Sequence, residues 1–430
     1  MSGGTLGAAG PAPHPDWLAP RVAVWVFLAF ALAYFLAALV RAITATLSPT
    51  LSAELALSAS DLGLLAAGYF FGFALLQLPL GNWLDRHGPR RVVVAFLTMA
   101  VLGCVAFALA TSFTGLLAAR VLTGMGVSAC LMAPLTGFRR WLSPPALLRV
   151  NAWMLMTGSL GMVAATLPVQ WLLPLTGWRG LFWGLAVLMV LAMAVIWRWV
   201  PDGHGTSNTE STPSGPAIGY RDIARHPFFR QMAPIGFVNY GGMVAVQTLW
   251  AGPWMVQVAG YSTEQAAFGL FAINLSMLIT FWLWGMVGPL LVRRGLSAER
   301  LIAWGLPISL LVLLAIVWLG PRAGWPWWAL FCVSSTLVSL SQPAVAQALP
   351  PQAAGRALSA YNLVIFAGIF CVQWAIGLAV DGLGALGWDT VSSYQGAVAL
   401  LGLGCLAAYG TFLRHHCRSL PIRPPPTRLN

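Results

Sequence analysis

Gly81-Asn82-Trp83-Leu84-Asp85-Arg86-His87-Gly88-Pro89-Arg90-Arg91 is the stretch that decides the fold. An apolar run from Leu62 to Leu84 leads into it, and another from Val92 to Ala110 leads out. About 20 apolar residues, rising about 1.5 Å each, cross the hydrocarbon core of a bilayer. The stretch is therefore a tight turn at a membrane face, with five basic or titratable side chains on it. Gly81 and Gly88 let the flanking helices approach and reverse sharply. Arg86, Arg90 and Arg91 hold the turn on the cytoplasmic side. Asp85 supplies the one carboxylate, suited to pairing with Arg86 or Arg90 or to capping a neighbouring helix N-terminus.

Working outward, the rest of the chain is of the same kind. Its 430 residues are 59% hydrophobic and 8% charged, with mean hydropathy +0.78. No soluble domain of this size is so apolar, so the fold class is an all-α polytopic membrane protein. All 23 basic residues are arginine and the formal charge is +12. A basic balance can signal nucleic acid. Here the arginines sit in short loops between apolar runs, so they report topology, and no nucleic-acid partner is expected. Five of the six cysteines fall inside apolar runs, and Cys417 follows the last one. None has metal-ligand spacing or an evident disulfide partner, so packing is their simplest role and neither metal nor cofactor is expected.

Twelve apolar runs are legible, at 22–48, 61–84, 91–111, 114–138, 151–173, 180–200, 231–257, 265–291, 299–320, 326–347, 357–381 and 393–413. With both termini cytoplasmic, 19 of the 23 arginines fall on the inner side and only Arg179 and Arg322 on the outer. That asymmetry fixes the orientation expected of an inner-membrane protein. Residues 1–20 lack the basic start and short apolar core of a signal peptide and read as a disordered cytoplasmic leader. Residues 21–200 and 228–414 read as two six-helix bundles, joined by a polar linker at 201–227 and followed by a cytoplasmic tail at 415–430. An internal repeat supports two halves. Gly81, Pro144 and Arg149 recur 207 residues later as Gly288, Pro351 and Arg356, and Gly177-Trp178 recurs 210 residues later as Gly387-Trp388. Val292 stands where the repeat would place Asp85.

The pattern G-x-x-x-D-R-x-G-x-R-R between the second and third runs resembles the loop signature of the major facilitator superfamily of secondary transporters. Arg120-Val-Leu-Thr-Gly124-Met-Gly126 is similar to its fourth-helix signature, and Gly177-Trp178-Arg179-Gly180-Leu181-Phe182 to a segment of many members. The resemblance covers residues 21 to 414. It implies two pseudo-symmetric bundles around a midplane cavity lined by helices one, four, seven and ten. It also implies that Gly81, Asp85, Arg86, Gly88, Arg90 and Arg91 form a gating loop. In it Asp85 bridges to nearby arginines and to the N-terminus of the eleventh helix near Ser359.

Two arginines fall inside apolar runs. Arg41 precedes Pro49, the expected end of the first run, by eight residues, and Arg120 follows position 114 by six. Both then lie roughly 9 to 12 Å below the outer surface. A guanidinium there costs about 2.5 to 3.5 kcal/mol and is suited to gripping a carboxylate or phosphate. The bland readings are that Arg41 snorkels to the interface and that Arg120 couples helices. Arg41 is similar to the substrate-binding arginine of the organic-anion branches, but position 248, its repeat partner, is Thr and not a second arginine. No acid and no histidine falls in the middle of a run. The chain thus lacks the relay of most proton symporters and the buried acid of cation exporters. Asn239, Tyr240 and Gln247 in the seventh run are spaced to share a helix face, and Asn362 in the eleventh is a further candidate. Substrate-binding residues are thus expected among Arg41, Arg120, Asn239, Tyr240, Gln247 and Asn362. The expected function is transport of a small solute, foremost an organic anion, by a monomer, with or without a co- or counter-transported ion. Export of a neutral or amphipathic compound is the alternative. A membrane enzyme is disfavoured by the lack of any nucleophile or metal motif.

Overall fold

The computed structural model describes residues 17–202, 219–294 and 296–419, and almost all of them are helical. Nine helices among these are long and apolar enough to cross a membrane. The other three spans are present as interrupted helices. The second runs from Ala59 to Leu75 and on into the helix starting at Gln77. The fifth is Pro144–Ala164 continued from Leu167, and the seventh runs from Pro227 to Gln257 through two π-helical stretches. Twelve spans result, as the apolar runs require.

The turns are sharper than loops. The helix Gln77–Leu109 contains both the end of the second span and the third, broken only at Gly88 (φ 77°, ψ 160°). Leu167–Trp199 is broken the same way at Gly177 (φ 64°, ψ 170°). Residues with a Cβ pay to enter this region of backbone space, so glycine sets both reversals. Gly387 (φ 90°) is the repeat counterpart of Gly177, and the helices Pro144–Ala164 and Pro351–Ala385 both open on the prolines that the repeat pairs. Gly81 does not take part as expected. It is helical, and a Cβ there would meet nothing within 4 Å. Close approach occurs instead at Gly72 and Gly124, where a Cβ would lie 2.0 Å from backbone oxygens of Val121 and Tyr69. Spans two and four therefore touch backbone to backbone.

Pro49 does not end the first span. The helix runs from Pro20 to Leu55. Proline leaves the carbonyl four residues back without its amide partner. The Ser48 hydroxyl donates to that Ala45 carbonyl at 2.9 Å, so the helix continues through the proline. Arg41 is then 14 residues from the helix end, about 21 Å of rise, and not eight from a stop at Pro49.

Residues 1–16, 203–218, 295 and 420–430 lie outside the described residues, and with them most of the expected leader, linker and tail. Leu18 donates its amide to the Trp141 carbonyl at 3.1 Å, a short helix occupies Tyr220–Arg225, and the last helix continues to Ser419. The halves meet along helix Ala59–Leu75, which packs antiparallel on Pro351–Ala385. The Phe73 and Phe366 rings there are 4.4 Å apart.

Candidate functional site at the contact of the two halves

Arg41 lies half-buried on the first span, with its guanidinium directed inward. Its Nη2 is 3.5 Å from the sulfur of Met162 on the fifth span, and its buried Nε has no hydrogen-bond partner. The charge is close enough to act on the hydroxyls of Tyr69 and Tyr240. No carboxylate among the described residues forms an ion pair with it.

The same sulfur is approached from the other half. Gln247 Nε2 lies 3.9 Å from Met162 Sδ and donates to Asn274 Oδ1 on the eighth span at 3.0 Å. Asn274 Nδ2 in turn donates to the Leu270 carbonyl at 2.9 Å. That last bond fixes the chain of amides. A carbonyl only accepts, so Asn274 must point its nitrogen at Leu270 and its oxygen at Gln247. Gln247 must answer with its nitrogen, and its Oε1 is left as an acceptor with no protein donor among the described residues. A guanidinium and an oriented amide oxygen thus lie around one methionine, at the seam between the halves.

The other expected residues are placed differently. Arg120 is fully buried; its Nη1 donates to the Val40 carbonyl at 2.9 Å, and its guanidinium lies 5.2 Å from the Tyr69 ring. It sits level with Arg41 but faces a backbone oxygen and an aromatic ring, and ties the fourth span to the first. Asn239 Nδ2 reaches toward the Cys405 carbonyl on the twelfth span at 3.5 Å. Asn239 and Gln247 therefore address different neighbours instead of one shared face. Eight residues leave the two side chains about 80° apart even in a regular helix, and the π-helical stretches Ile235–Tyr240 and Val246–Trp250 occupy the same run. Asn362 accepts from Gln342 at 2.7 Å, joining spans ten and eleven. Met162 and Asn274 complete the cluster and carry no sequence signal beyond being a thioether and an amide in apolar runs.

Two sets of contacts bracket this site. At the arginine-rich face, Asp85 pairs with Arg140 at 3.6 Å instead of with Arg86 or Arg90, and its side chain is 77% exposed. Arg90 turns to Asp202 at 3.1 Å and lies over the Trp197 ring at 4.3 Å. These partners belong to the first half or, in the case of Asp202, to the start of the linker that follows it. The eleventh helix begins at Pro351, so Ser359 lies two turns inside it and is not at its N-terminus. At the opposite face the halves are locked together. Asp381, near the end of the eleventh span, accepts from the amides of Ala59 and Ser60 at 3.1 and 2.8 Å. Trp250 Nε1 donates to the Gln373 carbonyl at 3.0 Å.

Comparison with known proteins agrees with this geometry. The family model for the Major Facilitator Superfamily matches residues 30–372. The cis,cis-muconate transport protein of Acinetobacter baylyi is 29% identical over 164 residues, 38% of this chain and 39% of its own length. A multidrug transporter MdfA of Yersinia pestis is 25% identical over 188 residues, 44% of this chain and 46% of that protein. The chain thus spans less than half the length of these relatives. Among solved structures, a bacterial homologue of the human lysosomal transporter Spinster, in its inward-facing and unoccupied conformation, superposes with a TM-score of 0.73 at 17% identity. That superposition covers 95% of this chain and all of the other.

Proposed function

Because this chain belongs to the Major Facilitator Superfamily, we propose that it carries a small organic anion across the cell's inner membrane by alternating access, with Arg41 taking the anion. The observation that carries this reading is the guanidinium of Arg41 at the seam of the halves, paired with no carboxylate among the described residues. A charge placed there is costly until an opposite charge joins it. A carboxylate can engage it through two parallel bonds. Gln247 Oε1 and the Tyr240 hydroxyl complete the grip on the substrate's polar groups. Asn274 acts as a positioning residue, while Arg120, Asn239 and Asn362 hold spans together. The match to a muconate transport protein supports the anion class.

In this reading the arginine-rich face is cytoplasmic, so both termini lie inside and the structure is the inward-facing state. One chain supplies both halves of the site, so a monomer suffices. Binding is tested by thermal unfolding of the purified protein with mono-, di- and tricarboxylates and with sulfonates. A ligand at 100 times its Kd adds about 2.7 kcal/mol of apparent stability. Arg41→Gln should abolish that gain and the uptake of the same anion by proteoliposomes, and Arg41→Lys should retain part of both. Unchanged uptake of every anion by Arg41→Gln would remove the anion reading.

The alternative is export of an amphipathic compound. Rings of Tyr69, Phe70, Phe73 and Phe366 form an apolar wall between spans two and eleven, and one relative is named a multidrug transporter. That reading requires dye efflux that Arg41→Gln leaves intact.

A further inference from the structure

We propose that Asp381 is the latch of the arginine-poor gate: it caps the second span from the opposite half, and it forms a reciprocal pair with Asp85. The helix Ala59–Leu75 leaves its first amides without partners inside the helix. Ser58 and Asp61 satisfy the end locally through a capping box. Asp381, 322 and 321 residues further along the chain, takes the amides of Ala59 and Ser60 as well. A carboxylate on a helix N-terminus is held by charge-assisted bonds and by the helix dipole. These bonds cross between the halves, so they exist only while this face is shut.

The surroundings are shaped for the contact. A Cβ at Gly377 would lie 2.4 Å from the Ala59 carbonyl, and one at Gly63 would lie 2.7 Å from the Gln373 carbonyl. Either side chain would hold the two helices apart and pull Asp381 off the amides. A cleft of about 370 Å³ lined by Ser48, Pro49, Leu62, Pro253 and Tyr394 borders the capped Ala59.

The two helices run antiparallel, and each carries an aspartate near or just past its C-terminal end, on the face where the other begins. Asp381 lies at the end of the eleventh span and caps the second. Asp85 lies past the end of the second span, on the face where the eleventh begins. In this structure the first cap is made, and Asp85 instead faces Arg140 at 3.6 Å within its own half. Opening one face breaks one cap and frees the same helix pair to make the other.

The test is a distance between the halves, which needs no substrate and so stands or falls separately from the anion reading. Spin labels go at the exposed Ala53 and Leu386 of the full chain, with Cys371 and Cys417 changed to serine. Asp381→Asn keeps the shape and removes the charge. Should that variant not fold, Ala59→Pro deletes one donated amide while preserving the helix. Proline is favoured at the first helical position, and Ser58 already has the extended backbone (φ −73°, ψ 171°) preferred before proline. The expected result is a longer-distance population raised about tenfold, as for a lost bond to a charged group. A folded Asp381→Asn or Ala59→Pro protein whose distances superimpose on the parent's overturns the proposal.

Discussion

Asn274 determines which atom Gln247 offers to the seam. Its own nitrogen is committed to the Leu270 carbonyl, so its oxygen takes the Gln247 nitrogen and leaves Gln247 Oε1 free. Asn274→Leu removes that constraint and lets the Gln247 amide rotate. The expected outcome is a rise in KM of about tenfold with kcat changed less, because an unoriented acceptor loses ground-state and transition-state grip together. Asn274→Asp should weaken binding as well, because its second carboxylate oxygen would face the Leu270 carbonyl and its charge would compete with the substrate anion for Arg41. Transport assays over a range of substrate concentration separate the two parameters. Arg41 was legible in the sequence because a charge in an apolar run has few explanations. Asn274 was not, since an amide in a transmembrane run is as often a helix-packing group as part of a site. Asn239 was legible as a polar residue but assigned to the face of Gln247, because spacing does not reveal which neighbouring span a side chain meets.

At the scale of the element, the reversals depend on single glycines, and the loop signature contains one that matters for shape and one that does not. Gly88 sits at φ 77° and ψ 160°, a region nearly confined to glycine, so Gly88→Ala should cost about 1–3 kcal/mol and lower the melting temperature in detergent. Gly81 is helical with open space where a Cβ would go, so Gly81→Ala should be neutral or stabilising by up to about 1 kcal/mol. Gly72→Ala should be worse than either, since its Cβ would meet the Val121 carbonyl at 2.0 Å and force spans two and four apart. Equal melting temperatures for the three variants would contradict this ranking. The twelve spans themselves were readable from run length, because the bilayer sets a minimum that composition reveals directly. Helix ends were read less well. Pro49 suggested a stop, yet a serine one residue earlier repairs the freed carbonyl, a compensation visible only once both atoms have coordinates.

For the whole molecule, the reciprocal caps make the two aspartates opponents in one equilibrium. Each carboxylate stabilises the state in which its own face is shut, and a shift in the balance is the ratio of the two effects. Asp85→Asn should leave expression intact, slow transport and add to the population seen here, with the arginine-poor face closed. Asp381→Asn should do the reverse. The sharper prediction concerns both together. If the caps are energetically separate, the double variant should return toward the parent's distribution of distances between Ala53 and Leu386, because two losses of similar size on opposite sides of an equilibrium cancel. Its turnover should nevertheless stay low if the caps help order the closed faces, since both gates then close without their amide partners. A double variant that keeps the distribution of the Asp381→Asn single variant would show that Asp85 has no share in the balance, and the arginine-rich loop would then be a topological anchor and nothing more.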